Sequence, residues 1–282
     1  MKWTRETAEV YVPDGVAPDE ALARTSHLAV GAHQDDLEIM AIDGILQSYR
    51  RVDRWFTGVV VTDGAGSPRD GLYREYTDEQ MRLVRREEQK KAAVVGGYAA
   101  QILLDHPSGA VKDGKADVVV QDLRQILGAA RPQVVYTHNL ADKHPTHVAV
   151  AVRVIQAIRS LPADLRPGKV YGCEVWRDLD WMPDSDKVVF NCSDQENLQA
   201  ALLGVFDSQV SGGKRYDLAT LGRRRANATY LESHSADYAR GVAIAMDLTP
   251  LAADPHRDLQ AYVQEHIDRF AQEVSGLIQK VL

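Results

Sequence analysis

From residue 26 onward the chain alternates short apolar runs with stretches whose apolar positions recur at helical spacing. Ser26 to Ala32 (SHLAVGA) reads as a buried strand, and Ile39, Ile42, Leu46 and Tyr49 follow it on one helical face. Trp55 to Thr62 (WFTGVVVT) is rich in β-branched residues and stops at Asp63-Gly64, a turn signal. Thr77 to Gly97 carries Met81, Val84, Glu88 and Ala92 at helical spacing and ends on Gly96-Gly97. Ile102 to Leu104 and Val134 to Thr137 read as further strands, and Val118 to Ala130 and His147 to Leu161 as helices. Strands alternating with helices predict parallel β-α-β units with both sheet faces covered.

The expected fold is therefore α/β: a Rossmann-like, doubly wound, mostly parallel sheet with a C-terminal α+β extension. The pattern divides one domain over 1–282 into an irregular N-terminal arm (1–25), a core (26–161) and the extension (162–282). Pro13, Gly15 and Pro18 break any periodicity in the arm. In the extension, Lys169 to Trp176 and Lys187 to Asn191 read as strands, and about 195–232 and 256–281 as helices. In doubly wound sheets, ligands sit beyond the C-terminal strand ends where the strand order reverses.

Composition narrows the class. The 282 residues are 45% hydrophobic and 26% charged, ordinary for a soluble globular chain. The net charge of −7 and the lack of a basic stripe argue against nucleic acid as a partner. Arg223-Arg224-Arg225 is the densest basic cluster; it reads as a solvated helix face or, alternatively, as an anion contact. Two cysteines, Cys173 and Cys192, make no disulfide framework and fit a reducing compartment. With no long apolar stretch and no leader-like N-terminus, a cytoplasmic protein without a membrane span is expected.

Two clusters carry the chemistry. The first, Gly31-Ala32-His33-Gln34-Asp35-Asp36-Leu37-Glu38, directly follows the first core strand. A dinucleotide site would place glycines there to bring backbone N–H groups against pyrophosphate; two carboxylates repel phosphate and attract a cation. The second, His138 to His147 (HNLADKHPTH), follows the fourth core strand. If these strands are neighbours, His33, Asp36 and His147 can hold one divalent ion with a position left for water, the composition of a hydrolytic zinc centre. Each cluster alone has a blander reading: histidines fill half-polar pockets, and an Asp-Asp pair before a helix serves as an N-cap.

At this point a family pattern is visible. AHQDDLE (32–38) resembles the AHPDD-x-E signature of the PIG-L/LmbE family of zinc-dependent N-acetylglucosaminyl deacetylases, and HPTHVAV (144–150) resembles its second signature. Val61-Thr62-Asp63-Gly64, Arg85-Arg86-Glu87-Glu88, Leu103 to Pro107 and Phe206 to Gln209 are similar to further family segments in the same order. The resemblance implies zinc, or another divalent transition metal, on His33, Asp36 and His147. It implies Asp35 as general base and His144 as the protonated partner of the oxyanion and the leaving amine. Arg85 resembles a substrate-contacting arginine, with an ion pair to Glu88 as the alternative. Asp105 is placed as a contact to sugar hydroxyls, with a turn residue as its alternative, and Ser208-Gln209 reads as packing or capping. The implied substrate is a small amino-sugar conjugate carrying an N-acetyl group.

The departures from the pattern make their own expectations. Gln34 stands where the family has proline, which loosens a turn. Thr146 replaces an acid that partners the catalytic histidine, so Asp142 is expected to reach the His144 imidazole in its stead. The long arm can cover the pocket or mediate contacts in a homo-oligomer. Two rival functions remain: an N-acyl amidohydrolase for a non-sugar or natural-product substrate, and a metal-binding, non-catalytic ligand-sensing module.

Overall fold

A computed structural model describes residues 1–115 and 117–282. One eight-stranded sheet collects strands from residue 9 to residue 247 in the order β1-β4-β3-β2-β5-β6-β8-β7. Its centre is β2 (His27–Gly31), β3 (Phe56–Thr62), β4 (Ala100–His106), β5 (Val134–His138) and β6 (Lys169–Cys173), all parallel to their neighbours within this group. Every residue of β2, β3 and β4 is buried, as continuous apolar runs in a sheet covered on both faces require.

Helices supply the two covers. One face packs against α1 (Pro18–Ala23), α6 (Val118–Ala130), α7 (Pro145–Arg159) and α11 (Thr249–Ala253), through Leu22, Leu123, Val154 and Leu251. The other packs against α2 (Asp36–Met40), α3 (Ile42–Ser48), α4 (Asp78–Gly96) and α8 (Glu196–Gly204), through Leu37, Ile45, Ala92 and Leu202. The helix expected after β2 is divided at Ala41, whose non-helical backbone separates α2 from α3. In α4 a capping box joins Thr77 and Gln80, and Gly97 at φ +62° closes the helix. Short α5 (Ser108–Lys112) follows β4.

The extension differs from expectation in two places. The stretch expected as helix over 195–232 is three helices: α8, α9 (Asp207–Val210) and α10 (Tyr216–Tyr230). A strand not expected from the pattern, β8 (Val242–Asp247), inserts antiparallel between β6 and β7 (Lys187–Asn191). The last helix, α12, spans Leu259–Val281 with Asp258 capping it through the Ala261 N–H.

The arm is also more ordered than its prolines suggested. Its β1 (Glu9–Tyr11) pairs antiparallel with β4, and Arg86 and Lys90 of α4 each reach Glu9 at 2.7 Å. Upstream, the Thr4 N–H and hydroxyl donate to Asp122, which also meets His106 at 3.0 Å. The arm thus closes one sheet edge, which answers the liability of an unpaired strand. Among the described residues, no helix is long and apolar enough to cross a membrane.

Candidate metal centre and pocket

The strand order reverses between β2 and β5: β3 lies on one side of β2, and β5, paired with β2, leads away on the other. Both clusters leave the sheet at this point, as the doubly wound rule requires of a ligand site. After β2 the chain turns tightly back onto α2. A Cβ at Gly31 would come within 3.0 Å of Asp36 Cβ and 3.1 Å of Leu37 Cδ2, so only glycine permits this approach. Asp35 takes a left-handed φ of +92° as it enters α2. Such backbone is costly for a non-glycine residue.

Three potential ligand atoms converge. His33 Nδ1 is 3.2 Å from His147 Nε2 and 3.4 Å from Asp36 Oδ2, and His147 Nε2 is 3.5 Å from Asp36 Oδ2. Tetrahedral ligands at ~2.0–2.2 Å from one ion would be roughly 3.3–3.6 Å apart. The observed triangle therefore fits a single ion without rearrangement. His138 also approaches Asp36 Oδ2, at 3.4 Å, but its Nε2 accepts the Ala32 N–H at 2.9 Å. That lone pair is occupied, so His138 braces the loop and stacks on His147, with ring centroids 3.9 Å apart.

Electrostatics separates the two neighbouring carboxylates. Burial pushes Asp36 up, but His147 and His138 overcome it and hold its pKa well below the ordinary value. Burial also pushes Asp35 up; Asp36 adds to the rise and Arg85 opposes it, leaving it raised to about 7. His147 loses basicity to burial and regains more from Asp36 and Asp142, so its pKa is raised. The Asp36 carboxylate is thus held toward its anionic form, and that of Asp35 can take up a proton.

Arg85 is almost fully buried and faces Asp35 rather than Glu88. Its Nη2 donates to the Gln34 carbonyl and to Asp35 Oδ2 at 3.3 Å, while Nη1 has no partner among the described residues. Glu88 instead accepts the Ser208 N–H at 2.7 Å and its hydroxyl at 2.6 Å, fastening α9 to α4. Gln34 replaces a rigid turn with side-chain ties: its Nε2 donates to the Thr62 carbonyl at 3.2 Å, and its Oε1 accepts from Arg85 Nε at 3.4 Å.

Two expectations need correction. Asp142 does not reach the His144 imidazole. Its Oδ1 accepts the His144 backbone N–H at 2.9 Å, and its Oδ2 meets the Trp176 N–H at 3.2 Å and His147 Nδ1 at 3.4 Å. The turn into α7 brings the His147 ring, rather than that of His144, onto the carboxylate. Nδ1 of His144 is buried without a partner among the described residues, and burial together with His147 and His33 pulls its pKa down to about 4. That shift favours the neutral imidazole of His144. Asp105 is the second correction. At φ +62° its carboxylate turns toward Arg82 at 3.1 Å and Arg86 at 3.4 Å, outside the pocket.

The pocket around the triad measures about 360 Å³. His33, Asp35, Asp36, Arg85, His144 and Thr146 line it, and no described residue of the arm does. Its other walls include four residues that the sequence reading did not place in a site: Lys112 of α5, Trp176 after β6, Gln209 of α9 and Tyr216 at the start of α10. The Trp176 ring lies nearly parallel to His144, with centroids 6.2 Å apart and an interplanar angle of 19°. Only Gln209 had a sequence signal, through its place in the FDSQ segment.

Residues 28–158 match the model of the PIG-L family, described as GlcNAc-PI de-N-acetylase. No curated protein matches the chain in sequence. Among solved structures, a conserved protein from Thermus thermophilus shares 20% identity at a TM-score of 0.61, over 77% of this chain and 93% of its own. GalB, the 4-carboxy-2-hydroxymuconate hydratase from Pseudomonas putida, shares 19% at 0.60, over 79% and 96%. The N,N'-diacetylchitobiose deacetylase from Pyrococcus horikoshii shares 18% at 0.57, over 78% and 83%. Likeness at this identity establishes the fold, which here hosts both a hydratase and a deacetylase. Both signature clusters lie inside the stretch that matches the PIG-L family model, residues 28–158.

Proposed function

We propose that this protein is a metal-dependent N-deacetylase that hydrolyses the acetyl amide of an N-acetylglucosamine-type substrate. We read the whole chain as one LmbE-like unit. The observation that carries the proposal is the triangle of His33, Asp36 and His147 with 3.2–3.5 Å edges, beside a second carboxylate on Asp35. Two imidazoles and one carboxylate suit zinc, and iron, cobalt or manganese accept the same donors. When bound, the ion supplies Lewis acidity and lowers the pKa of water toward ~7.

The chain's own residues do the rest in this reading. Asp35, raised toward neutrality and aimed by Arg85, accepts a proton from the attacking water and passes it to the departing amine. Neutral His144 still carries one ring N–H, which can donate to the oxygen that becomes negative as the carbonyl is attacked. Asp142 fixes the ring of His147 through Nδ1 and leaves Nε2 facing Asp36. Arg85 lines the pocket, and its buried Nη1 has no partner among the described residues.

The test pairs turnover with metal content. Asp35→Asn should keep about one ion per chain while N-acetylglucosamine hydrolysis falls by ~10²–10⁴. If Asp35→Asn empties the site, the ligand and base roles are exchanged. A wild-type protein that binds zinc and hydrolyses no amide in a panel of N-acetyl sugars and other N-acyl amines would instead be a ligand-sensing module.

A further inference from the structure

The last helix, α12, is rooted in the body through its first half. Tyr262 and His266 are buried, and the Tyr262 hydroxyl donates to the Asp247 carbonyl. Asp186 meets His266 at 3.1 Å and Arg269 at 2.5 Å, and Trp181 packs edge-on to Phe270 with ring centroids 6.3 Å apart. From Ala271 to Val281 every residue except Gly276 is exposed, so the second half projects from the body. The projecting half is not polar. Ile267, Phe270, Val274, Leu277 and Val281 recur at alternating intervals of three and four residues. Their exposure runs from 39% at Phe270 and Val274 to 85% at Val281. That spacing is the seam of a coiled coil, narrower than the stripe a helix buries against a globular body. A free helical segment of about three turns is marginal in water, and a partner along the seam would cover its apolar side chains.

The charges beside the seam identify the partner. Glu273 and Lys280 lie on one flank, about 10 Å apart along the axis, too far to pair within one helix. A second copy of α12 laid antiparallel places Val274 against the partner's Leu277 and Phe270 against the partner's Val281. In the same register Glu273 faces the partner's Lys280, and the two-fold axis repeats each contact. A parallel pair would instead set Glu273 beside the partner's Ile278 and pair no charges. The length also matches: each tip reaches the partner's Phe270, where the projecting half begins. We propose that α12 joins two copies of this chain through an antiparallel two-helix coiled coil. A lipid surface is a poorer fit, because Glu265, Asp268 and Glu273 outnumber Arg269 and Lys280 on this helix. An overlap of about twelve residues per helix falls at the small end of specific interfaces, so the dimer dissociates in the micromolar range.

Sedimentation velocity of the full chain from about 1 to 200 µM should show a monomer–dimer transition within that range. Leu277→Asp puts a charge into the seam twice and should raise the dimer Kd at least ~100-fold. The melting temperature of the dilute protein should not change, because Leu277 is exposed in the monomer. Lys280→Glu sets like charges opposite each other and should weaken the dimer about tenfold. Combining it with Glu273→Lys restores opposite charges, so the Kd should return to within about threefold of the wild type. That rescue distinguishes the antiparallel register from mere apolar adhesion. A chain that stays monomeric throughout, or a dimer indifferent to Leu277→Asp, would overturn the proposal. So would a charge exchange that fails to restore the dimer. Binding of monomeric chain to phosphatidylglycerol vesicles that Leu277→Asp abolishes, without any dimer, would assign the seam to a lipid surface instead.

Discussion

Between β2 and β5 the sheet is parallel, and His33, Asp35, Asp36 and His144 all follow the C-terminal end of one of these two strands. Beyond β6 it turns antiparallel, and that region contributes Trp176, Gln209 and Tyr216 to the same pocket. The first region supplies the titratable groups, braced by strand ends and buried hydrogen bonds. The second supplies mainly aromatic surface on a loop and on the first turn of a helix. Chemistry and recognition are thus built by separate parts of the chain, so substitutions in the two parts should leave different kinetic signatures.

The largest effect is expected in the first region. Asp36→Ala removes a corner of the triangle and the anion that keeps His147 basic. Metal content, measured by atomic absorption after dialysis, should fall to background, and turnover should fall with it by at least ~10³. Thermal stability should then become insensitive to added zinc, because mass-action stabilisation requires a site in the folded state. A variant that still binds one ion per chain would break the comparison at its root, since the titratable groups would then not be the ones that hold the metal.

A smaller loss should follow from Asp142→Asn, which leaves the triangle intact but weakens the support of His147. Such supporting hydrogen bonds are worth about 10–100-fold in metal affinity or activity. Competition with a chromophoric chelator reads the affinity directly. This carboxylate also bridges the two regions, since its Oδ2 accepts the Trp176 N–H. If the loss is confined to KM with metal affinity unchanged, Asp142 belongs with the recognition wall and not with the metal centre.

Legibility in the sequence follows the same division. The parallel strands were readable because they are buried on both faces and form unbroken apolar runs; β2 and β3 have no exposed residue. Their adjacency then placed His33, Asp36 and His147 together. By contrast, β8 carries alanine, a weak strand former, at two of its six positions, and its pairing partners lie about 50–75 residues away. The β1 strand has three residues and is fixed by β4 and by ion pairs from α4 rather than by its own pattern. Asp142 was misread because two residues of separation favoured His144, whereas the geometry of the turn into α7 favours His147. Trp176 and Tyr216 gave no signal, because only long-range packing brings them to the pocket.

The smallest effect should therefore come from the second region, and it tests the comparison most directly. Trp176 has a half-exposed ring that lies nearly parallel to His144 and edge-on to Tyr216, with centroids 6.1 Å apart in the latter pair. Trp176→Ala removes apolar surface from the pocket wall and leaves the ligand triangle untouched. Its backbone N–H, which Asp142 uses, survives the substitution. Metal content should therefore be unchanged. The loss is of ground-state and transition-state contacts alike, so KM should rise about tenfold while kcat stays within about twofold, a signature of uniform binding. Tyr216→Phe removes only a hydroxyl and leaves the ring in place, so it should move KM less than Trp176→Ala does. A fall in kcat of Tyr216→Phe with KM unchanged would place that hydroxyl at the reacting carbonyl, and the aromatic wall would then belong to the chemistry as well as to recognition.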